Sequence, residues 1–302
     1  MNSPAGGEKL KVLISGAGGL VGSEVCARLS AKGHRILKLV RRGGELKRDE
    51  IFWDPIAGFD LPAGFSADAV VHLAGEPIVG RWSEKKKWRI RQSRVRGTES
   101  LCRALGKLAA PPKVLVCASA VGFYGARRSE KLVEGSAPGH GFLAEVAQAW
   151  EGAASGALSS GARVVNLRIG LVLSRRGGAL KMMLPAFKLG LGGVLGDGTQ
   201  YMSWIALDDL VSVIEHALID ERYKGPINCV APQPVTNRVF TAALAKVLGR
   251  PAFLPVPSWV LKCLFGELAE EALLSDLQVY PEVLKGLGFE FEYAELEGAL
   301  GN

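Results

Sequence analysis

Residues Val12, Leu13, Ile14 and Ser15 run directly into Gly16-Ala17-Gly18-Gly19, and a helical pattern opens at Leu20. This stretch constrains the chain more than any other. An apolar run that stops at clustered glycines and restarts as a helix reads as a buried parallel strand, a tight turn and a helix N-terminus. Glycine at 16 permits the sharp turn. Gly18 and Gly19 remove side chains that would hold a phosphate at a distance, and Gly22 lets the helix lie close to the strand. The free N–H groups and positive dipole end of the helix then face an anion. An ordinary strand-to-helix turn is the alternative. The strand before it, the helix after it and the second strand that follows favour a dinucleotide pyrophosphate.

The helix from Leu20 stops at Lys32-Gly33, as expected for a glycine just past a basic last turn. A second strand, Arg35 to Val40, ends at Arg41-Arg42-Gly43-Gly44. The tip of this strand faces the adenosine ribose in such folds, where an acidic residue selects NAD through the 2′-hydroxyl. Here the tip holds Arg41 and Arg42. Guanidinium groups suit a 2′-phosphate by bidentate bonding and can stack on adenine, so the expected cofactor is NADP(H). Two solvated arginines at a strand end are the alternative.

The remaining chain alternates strand and helix without repeats. Ile51–Pro55 reads as a short strand, and Ala69–Ala74 as a strand buried on both faces that ends at Gly75-Glu76-Pro77. Ser83-Glu84 caps a long helix to about Leu108, rich in lysine and arginine in its first half and read mostly as a solvated face. Strands at Lys113–Ser119 and Arg163–Arg168 flank a helix from Gly141 to Ser155. The pattern predicts an α/β fold, a doubly wound parallel Rossmann sheet with a smaller C-terminal substrate lobe. The expected division is 9–170 with 196–230 for the cofactor domain, and 171–195 with 231–302 for the lobe. Glycines at 177, 178, 190, 192, 193, 196 and 198 suggest a mobile segment over the site, and Trp204 a wall of its pocket. Ligands of such sheets bind beyond the carboxyl ends of the strands.

With 302 residues and 48% hydrophobic content, the chain can bury a sizeable core. Residues 1–7 have neither a basic nor an apolar leader pattern, and no apolar run reaches membrane length, so a cytoplasmic protein without membrane association is expected. The five cysteines are scattered without a CxxC and read as buried thiols. The four histidines show no metal-ligand spacing, so no metal is expected. A net charge of +7 suits anionic ligands. The basic helix lacks interleaved aromatics, which argues against specific nucleic-acid binding. A small-molecule substrate is expected, its identity open, and so is the oligomeric state, a homodimer included.

Several segments carry a resemblance. Gly16-x-x-Gly19-x-x-Gly22, His72-Leu73-Ala74-Gly75, Val95-Arg96-Gly97-Thr98, Ser119 followed by Tyr124-Gly125, and Trp204-Ile205 with Asp208-Asp209-Leu210 resemble the extended short-chain dehydrogenase/reductase superfamily. Trp53-Asp54-Pro55, Arg81-Trp82, Ser93-Arg94, Trp150-Glu151, Gly177-Gly178 and Gly286-Leu287-Gly288-Phe289 are similar to its epimerase-like NADP-binding family with its own C-terminal domain, some members of which are labelled cell-division inhibitors. The resemblance spans nearly the whole chain and implies an NADP-bound Rossmann fold. The cofactor residues expected are Gly16, Ala17, Gly19, Leu20, Val21 and Gly22, then Val40, Arg41 and Arg42, then Leu73, Ala74, Gly75 and Arg94. Ala118, Ser119, Arg168, Gly170 and Leu171 complete them.

One departure bears on chemistry. The superfamily's catalytic Tyr-x-x-x-Lys pair is replaced here by Phe142-Leu143-Ala144-Glu145-Val146. The polar groups left at strand ends are Tyr124, Glu76 and Ser119, so a proton donor must come from these or be absent. Glu76 would serve only if apolar surroundings raised its pKa. The expectation is an oxidoreductase or epimerase-like enzyme with a substituted acid, or else a catalytically silent NADP(H)-binding, redox-responsive regulator.

Overall fold

The computed structural model describes residues 9–41, 44–128 and 130–302. The chain begins with β1 (Lys11–Ser15), α1 (Leu20–Ala31), β2 (Arg35–Val40), β3 (Glu50–Phe52), β4 (Ala69–His72), α2 (Glu84–Gly106) and β5 (Val114–Ala120). It continues through β6 (Lys131–Leu132), α3 (Phe142–Ala154), β7 (Arg163–Ile169), β8 (Leu171–Leu173), α4 (Gly178–Lys188), β9 (Tyr201–Met202) and β10 (Trp204–Ala206). Last come α5 (Leu207–Ile219), β11 (Gly225–Cys229), β12 (Val235–Thr236), α6 (Asn237–Leu248), α7 (Ser258–Phe265), β13 (Gln278–Val279), α8 (Glu282–Gly286) and α9 (Leu296–Gly301).

Seven strands pair in the order β11-β7-β5-β4-β1-β2-β3, all parallel, which is the doubly wound sheet expected. The order reverses between β1 and β4, and this opens a crevice at their carboxyl ends. Val12, Leu13, Ile14, Val70, Val71, Val116 and Leu167 are all but inaccessible, as strands covered on both faces require. Helices α1 and α5 pack one face, where Val25 and Leu29 meet Leu210, Val213 and Ile214. On the other face Leu101 and Leu105 of α2 meet Trp150 and Ala154 of α3.

The capping signals act as read. Ser83 accepts from Lys86 N at the start of α2, Thr236 accepts from Val239 N at the start of α6, and Gly249 closes α6 at φ +60°. After residue 170 the chain carries β8, which pairs with β10, and then, in the amphipathic stretch 179–189, α4, whose Leu180, Leu184 and Phe187 are buried against Phe240, Leu244, Leu296 and Leu300. Trp204 sits in that same apolar cluster at 1% exposure, so it is core and not a pocket wall. Cys263 is exposed, unlike the buried thiols expected, because it lies on α7 at the surface of the tail. No helix among the described residues is long and apolar enough to cross a membrane, and these residues hold no cluster of metal-ligating side chains.

Candidate cofactor and substrate site

The turn after β1 is built on absent side chains. A Cβ at Gly16, where φ is +73°, would stand 2.8 Å from the Leu73 carbonyl carbon, and one at Gly22 would lie 2.2 Å from the Gly16 oxygen. Gly18, by contrast, meets nothing within 4 Å. Gly19 is the N-cap of α1 and supplies no side-chain cap, so the first-turn N–H groups are left for another acceptor. Beside them lies a cavity of about 410 Å³, lined by Gly18, Gly19, Leu20, Ser23, Arg176 and Gly177 among others. Gly177 and Gly178 pack on the Leu20 side chain, and Arg176 pairs with Glu24 at 2.8 Å. Ala17 and Val21 pack partly buried behind the turn.

At the tip of β2, Val40 is half-buried and Arg41 is exposed. Arg42 lies outside the described residues. Arg41 is close enough to Glu76 to help hold its carboxyl low, after the larger effect of Lys86, whose Nζ donates to Glu76 Oε1 at 2.9 Å. Arg89 Nε stands 3.4 Å from the same oxygen. The Glu76 pKa is therefore lowered, the reverse of what a proton donor needs: Glu76 is an ionised partner of α2's cations. Those cations are paired as much as solvated, Lys87 bonding Glu267 of the tail.

Beyond β4 the backbone of Leu73 and Ala74 passes over Gly16, and Ala74 N donates to Ser15 Oγ. Arg94 from α2 lies beneath Gly75. Its Nη1 donates to the carbonyls of Glu76 at 3.0 Å and Ile90 at 3.2 Å, and its guanidinium stacks on the Trp150 ring at 5.0 Å. Burial lowers its pKa to about 10, which leaves it charged at neutral pH. It was expected to meet a cofactor anion; among the described residues it bonds two carbonyls, lies over the Trp150 ring and feels the Glu76 carboxylate.

Ala118 and Ser119 immediately precede Ala120, the final residue of β5, and Gly170 and Leu171 follow β7. Ala118 is buried in the core, and Gly170 N donates to Cys229 O, with a Cβ there blocked at 2.6 Å by Ser203 O. The side chains of Ser119, Tyr124 and Arg168 are buried and bonded to protein partners. Ser119 Oγ donates to Glu151 Oε1 at 2.7 Å, and Arg168 makes a two-armed pair with the Glu151 carboxylate, through Nε at 2.9 Å and Nη2 at 3.0 Å. Tyr124, at 0% exposure, donates to Asn228 Oδ1 at 2.7 Å and accepts from Arg168 Nη1 at 2.9 Å. Burial raises the Tyr124 pKa although Arg168 opposes it. These three side chains form an internal polar lattice. The expectation that Tyr124 or Ser119 gives a proton to substrate, or that Arg168 touches cofactor, does not fit this placement.

Sequence reasoning missed two tail residues at this site. Glu271 Oε1 and Oε2 accept from Phe142 N and Leu143 N, so the C-terminal segment caps α3. Gly141, at φ +104°, leaves room for that carboxylate. Tyr280 O accepts from Asn228 Nδ2. Neither contact has a local sequence signal, since each joins residues far apart in the chain.

A glycine cradle at the switch point of a parallel sheet defines a Rossmann-type nucleotide-binding protein, and comparison gives the family. Residues 12–229 match the NAD dependent epimerase/dehydratase family and residues 256–302 the domain of unknown function DUF1731; the chain belongs to that epimerase/dehydratase family. It is 42% identical to the epimerase family protein Mb2239 of Mycobacterium bovis, across 96% of each chain. The crystal structure of human epimerase family protein SDR39U1 (isoform 2) with NADPH superposes with a TM-score of 0.88 at 35% identity, covering 96% of this chain and 98% of that one. A nucleoside-diphosphate sugar epimerase of Corynebacterium glutamicum superposes at 0.78 with 38% identity, covering 97% of this chain and 57% of that one.

Proposed function

We propose that the chain is an NADP(H)-dependent, epimerase-like oxidoreductase working without a Tyr-x-x-x-Lys pair. The observation that carries the cofactor half is the cradle: Gly16 and Gly22 have no room for a Cβ, while Gly18 faces open space beside uncapped N–H groups of α1. A pyrophosphate uses that combination. Gly16, Ala17, Gly19, Leu20, Val21 and Gly22 would hold it. Val40 and Arg41, with Arg42, would take the adenosine ribose and its 2′-phosphate, and Leu73, Ala74, Gly75 and Ala118 the other half. The human relative crystallised with NADPH supports the same cofactor. We assign 9–170 and 196–230 to the cofactor domain, 171–195 and 231–302 to a substrate lobe, and the protein to the cytoplasm.

When bound, the nicotinamide supplies or accepts a hydride at a carbon bearing oxygen. The chain's own part is to orient the two reactants and exclude water. With Glu76 held ionised and Tyr124 buried on protein partners, neither stands ready as an acid, so weak turnover on generic aldehydes and ketones is expected. The same two observations favour the second reading, a silent NADP(H)-binding regulator. Calorimetric titration with NADPH and NADH tests the cofactor, with Arg41→Ala alongside. NADPH binds wild type more tightly by about ten- to a hundredfold, and the variant loses the preference; equal wild-type affinities overturn the proposal. NADPH oxidation across a carbonyl panel separates enzyme from regulator.

A further inference from the structure

Two acid-free stretches of the chain meet on the outer surface. Neither 152–196 nor 222–266 contains an aspartate or a glutamate, although the whole chain holds 30. They are stitched side by side: Leu254 N donates to Gly192 O at 3.3 Å, Val256 N to Val194 O at 2.8 Å and Gly196 N to Val256 O at 2.9 Å. A Cβ on Gly190 would touch the Pro251 ring at 3.6 Å. α4 leads into one side of this join, and α7 follows the other. On α4, Leu180, Leu184 and Phe187 are buried, while the exposed Met182 and the cap residue Leu189 stand on the opposite face. Leu191, Phe253, Leu254 and Trp259 are exposed and continue the row along the join. Lys181, Lys188, Arg250 and Lys262 flank it, all exposed. Lys262 meets the carboxylate of Glu270 at 2.7 Å.

Large apolar side chains left in water in one row mark an interaction surface, and the charges around them give the sign of the partner. Cations on acid-free segments select an anionic one. A second copy meeting the same face would set lysine against lysine, which argues against self-association there. Shape argues against a peptide groove. A side chain on a groove wall is shielded by its neighbours, whereas Leu189, Phe253 and Trp259 are 73%, 70% and 68% exposed. Protruding side chains need a partner that yields around them. The surface of an anionic bilayer does so: it takes tryptophan and other large apolar groups at the acyl boundary and draws lysine and arginine to its phosphates. The expectation of no membrane association rested on the lack of a spanning run, and binding to a bilayer surface needs none.

We infer that the outer face of α4 and the segment 250–262 form a peripheral docking face for an anionic bilayer, with Leu189, Phe253 and Trp259 inserted and Lys181, Lys188 and Arg250 at the headgroups. The probe is vesicles of phosphatidylcholine alone, or of equal parts phosphatidylcholine and phosphatidylglycerol, sedimented with the full chain. Wild type sediments with the mixed vesicles and not with phosphatidylcholine alone, and added salt releases it. Lys181→Gln with Lys188→Gln weakens uptake by about tenfold or more, and Leu189→Ser with Phe253→Ser does the same. All four side chains are exposed, so melting temperatures stay at the wild-type value. Brominated acyl chains quench tryptophan emission in wild type. Trp259→Phe removes that quenching and keeps uptake within about threefold, since an apolar ring remains. Uptake that survives both double variants would place the contact elsewhere, such as the basic first half of α2 with its exposed Trp88, and would overturn the inference. So would wild type that stays in solution, or quenching unchanged in Trp259→Phe. Binding of polyglutamate as tight as that of the mixed vesicles would mean an acidic peptide surface and would overturn it as well.

Discussion

Ser15 Oγ and His72 Nδ1 stand 2.6 Å apart at the point where β1 and β4 run side by side, both residues at 0% exposure. The contact is one link of a one-way chain. Ala74 N–H donates to Ser15, Ser15 to His72 Nδ1, His72 Nε2–H to Thr98, and Thr98 to the Arg94 carbonyl. That direction assigns the neutral Nε2–H tautomer. It ties two strand ends at the crevice to α2.

Burial lowers the His72 pKa to about 4, against 6.5 when exposed. The folded protein thus resists the proton that the unfolded chain accepts, so this contribution is whole above pH 6.5 and is lost as pH falls toward 4. The full loss is about 3 kcal/mol. Urea titrations at pH 7.5 and 4.5 are expected to give a lower midpoint at the lower pH, with His72→Gln reducing the difference. An acid sensitivity identical in that variant refutes the assignment.

Arg168 and Glu151 pair within the interior, and removing one partner strands the other. Glu151→Ala is expected to cost about 3–5 kcal/mol in chemical unfolding. Glu151→Ala with Arg168→Leu is expected to be milder than either single change. A single variant within 1 kcal/mol of wild type would refute a structural pair; that threshold is roughly the value of an exposed ion pair.

Tyr124→Phe tests the correction at the proton donor. The hydroxyl bonds Asn228 and Arg168, not the crevice. The variant is expected to lose about 1–3 kcal/mol of stability and none of the NADPH oxidation rate that wild type shows with any accepted carbonyl. A selective loss of rate at unchanged stability would restore Tyr124 as the acid.

Two glycines four residues apart should part company. Gly22→Ala drives a Cβ into the Gly16 carbonyl and is expected to lower both melting temperature and cofactor affinity. Gly18→Ala meets no protein atom and is expected to leave melting unchanged while weakening NADPH. If Gly18→Ala leaves NADPH affinity intact, the phosphates do not lie over that turn.

What the sequence reveals follows the range of the forces involved. The β1 turn, the Ser83 and Thr236 caps and the Gly33 and Gly249 stops are legible because each rests on neighbours a few residues apart. The Glu151–Arg168 pair joins a helix to a strand, and Glu271 reaches α3 from more than a hundred residues away. Such contacts leave no periodicity. Glu76 and Tyr124 illustrate the cost: strand-end position alone marks both as candidates, and only the cations around one and the burial of the other on Asn228 and Arg168 decide against them.

The tail enters the sheet-bearing part of the molecule at separate points: β13 pairs with β6, Glu271 caps α3, Glu267 bonds Lys87 and Tyr280 holds Asn228. Cutting the chain near residue 255 would therefore not release two independent halves. It would leave α3 without its cap and Asn228 without one acceptor. The tail cannot be traded as a cassette between relatives, and any exchange of specificity by recombination would have to move α3, the β6 strand and the last fifty or so residues together.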